Sequence, residues 1–300
     1  MLPRVAAAVW GSCVSPLVEA ARSLPFDVEV WNLVEVEEGR LEECLRSLKN
    51  TDLILVYPME SLRCWELLEK GLAGLEKPIV AVGGEPSKWL LSNVGTKVTL
   101  VANQYFAFGG VENLKNLLKF LASEVLGVAC EFSPPAELPW DGIYHPDASS
   151  AFNNVEEYLR WYEHAGHLKK APTVGILFYR NYWVTGNLEV ENALIRSFEA
   201  EGLNVIAAFS YSSAAEHGAR TNLEIIKDFF MDDDRPRIDA LVNLQWTPLG
   251  GDWRDRKTSA ERAVELLKRL NVPVFHPHIA YHMTENEWRS SGQGVGGSIM

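Results

Sequence analysis

Cysteine is scarce in this 300-residue chain: Cys13, Cys44, Cys64 and Cys130 lie far apart, and none belongs to a C-x-x-C pair. That spacing removes the close thiolate pairs on which zinc and redox motifs depend, so the four read as reduced, structural thiols. Basic residues are also in the minority, 28 against 40 acidic, for a net charge of −12. This balance argues against nucleic acid as the main partner, because phosphate binding needs a concentrated basic surface. No apolar run is long enough for a membrane span, and Met1-Leu2-Pro3-Arg4-Val5 is not followed by a long apolar segment. The expectation is a cytoplasmic protein with no signal peptide. The G-x-x-x-x-G-K-S/T phosphate loop, the serine nucleophile elbow, H-E-x-x-H and recognisably spaced catalytic carboxylate pairs are all missing. ATP binding by this chain alone is therefore not expected.

What is present is ordinary globular material, 47% hydrophobic and 23% charged, enough for the cores of two domains. Short apolar runs at Val5–Trp10, Val28–Leu33, Leu53–Tyr57 and Ile79–Val82 predict strands. Between them, Leu41, Cys44, Leu45 and Leu48 have helical spacing, residues 61–74 read as helical, and Leu114, Leu117, Leu118, Leu121 and Val125 mark a final helix. Residues 128–170 differ: Pro134, Pro135, Pro139 and Pro146 interrupt them, and they read as a connector bearing one helix. The pattern then resumes with strands at Val174–Tyr179, Val205–Phe209, Ala240–Leu244 and Val274-Phe275. Val190, Ala193, Leu194 and Phe198 mark a helix that Gly202 ends. Thr221-x-x-Glu224 and Thr258-x-x-Glu261 fit capping boxes that open helices, and Ala260, Ala263, Val264 and Leu267 predict the apolar face of the second. The fold class is thus α/β: two Rossmann-like or flavodoxin-like parallel-sheet lobes, 1–127 and 171–300, joined by the Pro-rich connector. The Gly-rich tail looks like a truncation point. Its Gly292-Gln293-Gly294-Val295-Gly296-Gly297 satisfies G-x-G-x-x-G by letter only, lacking a preceding strand.

Several places hold chemistry-bearing residues. Gly109-Gly110 precede the helix containing Asn113, an arrangement that serves either as an anion-receiving helix start or as a plain glycine turn. Tyr144-His145-Pro146-Asp147 offers either a proton-relay pair or a turn capped by Asp147. Arg180 and Trp183 follow one strand of the second lobe, and Asn243 and Trp246 end another. Strand ends at a sheet's carboxyl edge are where ligands sit, so these read as ligand contacts or as rim packing. His276, His278 and His282 form an H-x-H-x-x-x-H cluster after the last strand, a candidate metal site without a carboxylate or cysteine at ligand spacing.

In order along the chain, several segments resemble one family. They are Tyr105-x-x-x-Gly109-Gly110-x-Glu112-Asn113-Leu114; Ile143-Tyr144-His145-Pro146-Asp147 with Glu156-Glu157-Tyr158-Leu159-x-Trp161-Tyr162; Pro172–Arg180; Asp239–Leu244; Leu270–Val274; and Trp288-x-x-Ser291-Gly292. The chain resembles the N-terminal part of the cobaltochelatase large subunit, related to the magnesium chelatase large subunit. The resemblance covers residues 100–292. It implies a cytoplasmic, tetrapyrrole-binding ligase component of cobalamin biosynthesis. Such an enzyme inserts Co²⁺ into a corrin precursor of the hydrogenobyrinic acid a,c-diamide type, or Mg²⁺ into protoporphyrin IX in the magnesium branch. It also implies that AAA+ ATPase and integrin-domain-like partner subunits supply ATP hydrolysis, that the metal-inserting residues lie beyond residue 300, and that the fragment alone is inactive. The connector and the Val174–Arg180 strand look more like the cobalt branch. Two other readings stand beside this one: a non-catalytic docking module for the ATPase subunits, and a free-standing ligand-binding protein of periplasmic type, which the lack of a signal peptide disfavours.

Overall fold

The computed structural model describes residues 2–59, 62–211, 218–245, 249–250, 256–277 and 285–292. The chain divides into two units, Met1–Leu138 with Asn181–Asn187, and Pro139–Arg180 with Leu188–Met300.

The first unit is built on four parallel strands, β1 (Arg4–Val9), β2 (Asp27–Asn32), β3 (Leu53–Tyr57) and β4 (Ile79–Ala81), in the order β2-β1-β3-β4. Strand side chains alternate between faces, and here both faces are buried, which is why the runs read as continuously apolar. Val5, Ala7, Val9, Leu53 and Leu55 point into one core with α1 (Val14–Ala21), α4 (Thr96–Phe108) and α5 (Val111–Leu126). Ala6, Ala8, Ile54 and Val56 point into the other with α2 (Leu41–Leu48) and α3 (Trp65–Leu72). The small residues at positions 6–8 let helices on both sides approach β1 closely. Sequence periodicity does not reveal α1 or α4, because their apolar residues are diluted by polar ones on the same turns. Cys44, in the second core, has its thiol pushed up to about 12 by burial, which leaves it unreactive.

The main sheet of the second unit has, among the described residues, five strands in the order β9-β8-β6-β7-β5: β5 (Gly142–Tyr144), β6 (Thr173–Tyr179), β7 (Asn204–Ser210), β8 (Ala240–Asn243) and β9 (Val274–Phe275). All pairings are parallel except β5 on β7. The Pro-rich stretch read as a connector therefore contributes an antiparallel edge strand, which three residues between Pro139 and Pro146 do not disclose. Ile143, Leu177, Ile206, Ala208 and Leu241 face one core with α6 (Val155–His164), α9 (Asn222–Phe230) and α10 (Arg256–Leu270), while α8 (Glu189–Ala200) packs against β7. A short helix, α7 (Arg180–Thr185), follows β6 directly. Gly202, at φ +83°, ends α8 in the left-handed region as its position predicts. The Thr221 capping box is real: Glu224 N–H donates to Thr221 Oγ1 at 3.2 Å, and Thr221 N–H donates to Glu224 Oε2 at 2.7 Å.

Two helix readings need correction. Thr258 does not open its helix, since α10 already runs from Arg256; the i, i+3 spacing of a capping box recurs inside any helix. The buried face of α10 is Ser259, Ala263, Leu266 and Leu270, not the stripe through Ala260 and Val264, and Val264 is 51% exposed. Two apolar stripes compete on this helix, and contact with the Leu241 side of the sheet selects the one ending in Leu270. Leu266→Ala is therefore expected to cost about 2–5 kcal/mol, and Val264→Ala less than about 0.5 kcal/mol, in urea denaturation.

Candidate functional site

In the second unit β6 comes first among the parallel strands, β7 lies on one side of it and β8 on the other. A sheet wound outward from a central strand opens a crevice at the carboxyl ends of those strands. At the carboxyl ends of these strands the described side chains close a ring of neutral polar groups. Ser210 Oγ donates to Asn222 Oδ1 (2.5 Å), Asn222 Nδ2 to Gln245 Oε1 (2.6 Å), and Gln245 Nε2 to Ser210 Oγ (2.6 Å) and to the Phe178 carbonyl (3.1 Å). All three side chains are fully buried. Asn243 joins them by accepting the Gln245 N–H (3.1 Å). A ring in which each polar group is satisfied holds three strand ends in one geometry.

Arg180 stands beside this ring but is 3% exposed. Its Nε donates to the Pro139 carbonyl (2.7 Å), and its guanidinium lies 4.2 Å from the centre of the Trp140 ring. Trp140 meets Tyr211 edge-on at 4.8 Å. Arg180 thus ties residues 139–140 to the end of β6. Tyr144 packs edge-on against Phe178 and donates its hydroxyl to Asn192 Oδ1 (2.9 Å). In the first unit Gly109 and Gly110 both have positive φ, and a Cβ on them would come within 3.1 Å of Val184 and 2.9 Å of Leu138. Asn113 spends its whole amide on backbone: Nδ2 donates to Gly109 O (2.7 Å) and Ala136 O (2.8 Å), and Oδ1 accepts from Ala136 N–H (2.9 Å). Here the glycine pair and Asn113 form a packed clamp. Trp183 is half-buried and His276 exposed, while Trp246, His278 and His282 lie outside the described residues.

The most concentrated chemistry lies elsewhere in the second unit. His145, in the turn after β5, has a fully buried side chain. The Asp147 amide donates to its Nδ1 (3.1 Å), so the ring proton sits on Nε2, which donates to Glu199 Oε1 (3.0 Å). Tyr162 donates its hydroxyl to the same oxygen (2.9 Å), and His167 Nδ1 is 3.3 Å from it. His167 Nε2 faces Asp147 Oδ2 at 3.4 Å. Arg196 grips Asp147 bidentately (2.7 and 2.5 Å). Burial holds the His145 imidazole below its ordinary range, outweighing Glu199, whereas Arg196 holds the Asp147 carboxyl at about 2. Burial, reinforced by the Glu199 carboxylate, pushes the Tyr162 phenol up. His145, His167 and Glu199 each offer one ligand atom within 4.8 Å of the others, making this the group among the described residues able to hold a metal ion. Sequence spacing finds His145 and places Asp147 beside it, but misses Glu199 and His167.

Glu191 is a second hidden carboxyl. It points inward from α8, 2% exposed, and among the described residues no other side chain hydrogen-bonds or ion-pairs with it. Desolvation raises its pKa.

Fold and site define a two-unit α/β protein with a buried ring of neutral polar groups at its strand ends and a histidine–carboxylate cluster around the buried His145. Residues 103–300 match the family model described as CobN/Magnesium Chelatase, and the chain belongs to that family. An uncharacterised protein of Methanocaldococcus jannaschii is 31% identical over 295 residues, 97% of this chain and 22% of the relative. The chloroplastic magnesium-chelatase subunit ChlH of Oryza sativa is 26% identical over 209 residues, 66% of this chain and 15% of the relative. The aerobic cobaltochelatase subunit CobN of Pseudomonas aeruginosa is 27% identical over 203 residues, 63% and 16%. The catalytic subunit of cobaltochelatase from Mycobacterium tuberculosis shares the fold, with a TM-score of 0.60 and 24% identity over 98% of this chain and 23% of that one. The chain spans about a fifth or less of the length of the curated relatives it matches.

The Glu191 geometry fixes a pH dependence. A carboxyl whose folded pKa is raised adds stability that is complete below the unfolded value, near 4.5, and lost as pH rises through the folded one. Glu191→Gln should therefore match wild type in urea denaturation near pH 4 and exceed it at pH 7.5, by on the order of 1 kcal/mol. Equal differences at both pH values would mean that the carboxyl is solvated.

Proposed function

We propose that this chain is part of the large, tetrapyrrole-binding subunit of an ATP-dependent metal chelatase acting in the cytoplasm. The observation that supports the reading is the family match, which takes in the whole crevice and the histidine cluster. Co²⁺ is the metal we propose and a corrin precursor the acceptor, because the connector and the Val174–Arg180 strand resemble the cobalt branch. Magnesium is the second reading, favoured by the similarity to the magnesium-chelatase relative of Oryza sativa. Either metal is the substrate of the assembled enzyme, and ATP is bound by AAA+ partner subunits, consistent with the missing phosphate loop.

On this reading the crevice of the second unit contacts one edge of the macrocycle. Tyr179 ends β6 and Tyr211 follows the neighbouring β7, and Tyr211 is 37% exposed, so aromatic surface is available for a flat ring. Arg180 acts on that surface from behind, by fixing Trp140 against Tyr211. Its guanidinium is already engaged, so gripping a macrocycle carboxylate falls to other groups. Metal insertion itself is assigned to parts of the subunit outside this chain.

Titration of a corrin a,c-diamide or a porphyrin against the chain, followed by tryptophan fluorescence, tests the assignment. Saturable quenching is expected, and Arg180→Ala should weaken it by about tenfold, the effect of losing roughly 1.4 kcal/mol of preorganisation. No quenching by either macrocycle removes tetrapyrrole binding from this part of the subunit. Metal preference follows from insertion assays on the assembled enzyme supplied with Co²⁺ or Mg²⁺.

A further inference from the structure

We infer that His145, His167 and Glu199 form a binding site for a borderline transition-metal dication, of the Co²⁺ or Zn²⁺ class, that is separate from the crevice and independent of the chelatase reading. Three observations point to it. The first is spacing. Nitrogen and oxygen ligands about 2.0–2.1 Å from a tetrahedral ion stand about 3.3 Å apart. Glu199 Oε1 lies 3.0 Å from His145 Nε2 and 3.3 Å from His167 Nδ1, so two edges of the coordination figure are already in place. The third edge, between the two imidazole nitrogens, is within 4.8 Å, and the His167 ring, 21% exposed, has room to turn toward the ion. That same exposure leaves the fourth position to water.

The second observation is the support behind the ligands. A metal-binding imidazole usually turns its other nitrogen to a carboxylate, which fixes the ring and raises its basicity. Asp147 Oδ2 stands 3.4 Å from His167 Nε2 and 3.9 Å from His145 Nδ1, where a small shift brings it into hydrogen-bond reach of either ring. Arg196 anchors that carboxylate through both its oxygens. On binding, the His145 proton moves from Nε2 to Nδ1, where the Asp147 carboxylate replaces the Asp147 amide as partner. Nε2 then offers its lone pair to the ion, and no net proton leaves His145.

The third observation is chemical. Two imidazoles and one carboxylate suit Zn²⁺ and Co²⁺, whereas Mg²⁺ demands an octahedron of oxygens. Glu199 and Asp147 together outweigh Arg196 by one negative charge, so the ion enters a site of opposite sign.

Co²⁺ titrated as the sole metal into the untagged chain tests this. One equivalent should bind with the visible ligand-field absorption of a low-coordinate nitrogen–oxygen site. Mg²⁺ in large excess should leave that absorption unchanged. Asp147→Asn should weaken binding about ten- to hundredfold, and His167→Ala or Glu199→Gln should weaken it further. His276→Ala, altering an exposed histidine elsewhere, should bind as wild type. Far-UV circular dichroism of the partly exposed His167→Ala variant checks that it is folded, and Zn²⁺ should raise the melting temperature of wild type but not of this variant. The proposal is overturned if Co²⁺ retains its aquo spectrum, if folded His167→Ala binds as tightly as wild type, or if Mg²⁺ competes on equal terms. The cluster is then a hydrogen-bond network alone.

Discussion

Taking the Glu199 carboxylate out of water is the constraint around which the second unit is arranged. A largely buried carboxylate needs partners, and here they come from separate elements: His145 Nε2, from the turn after β5, and the Tyr162 hydroxyl, from α6, donate to it, and the His167 ring, from the segment after α6, stands 3.3 Å away. Tyr162 also accepts the Val205 N–H (3.2 Å), which brings in β7. Removing Glu199 would leave the His145 and Tyr162 donors without their shared acceptor, so the cost would spread across the elements they sit on. This explains why β5, only three residues long, persists as an antiparallel edge. Its ladder on β7 is backed by the His145 anchor at one end. At the other, Arg220 binds Asp141 and the Asn153 carbonyl (2.5 and 3.0 Å).

The sheet carries polar groups at both ends of β7, and the charged Arg180 and the Arg220–Asp141 pair flank the carboxyl end. At the carboxyl ends the ring of Ser210, Asn222 and Gln245 is neutral. Neutral groups that satisfy one another give rigidity without the desolvation cost of charge, which suits the floor of a binding crevice. At the amino end of β7, where Tyr162 meets Val205, the groups are charged or titratable. Between the two ends β7 runs through Ile206, Ala207, Ala208 and Phe209, all apolar and buried, so each polar group's position is set by its partner and not by general hydrophilicity.

Legibility in the sequence follows the range of the interaction responsible. The inner strands announce themselves, because a strand buried on both faces must be apolar throughout, and Leu53–Tyr57 is legible to the residue. Helix existence is clear for α5 and α9, where leucine periodicity or a capping box is local. Helix phase is less clear. On α8 Val190, which opens the predicted apolar stripe, is 42% exposed, while Glu191 and Ile195 turn inward, since the neighbouring sheet decides which stripe is covered. The site is half-legible. Tyr144-His145-Pro146-Asp147 stands out as a motif, yet His145 takes its carboxylate from Glu199, 54 positions on, and not from Asp147. Glu199 sits among Phe198, Ala200 and Glu201 and reads as one more surface charge. Arg180 is found by its place after a strand, but only the fold shows that Trp140 and Pro139 already occupy it.

The distance between the two ends of the sheet constrains what a metal at the cluster can do. From Val205, beside the cluster, to Ser210, at the crevice, β7 advances roughly 17 Å at about 3.3 Å per residue. An ion on His145, His167 and Glu199 would therefore lie well away from a macrocycle seated, as proposed, at the carboxyl ends of the strands. What such an ion would change is the stiffness of the elements it joins, because it would replace hydrogen bonds among the β5 turn, α6 and α8 with shorter, stronger coordination. One of these elements bears on Tyr144 directly, since its hydroxyl is held by Asn192 of α8. Any influence of the cluster on the crevice must pass through that helix, as a matter of positioning.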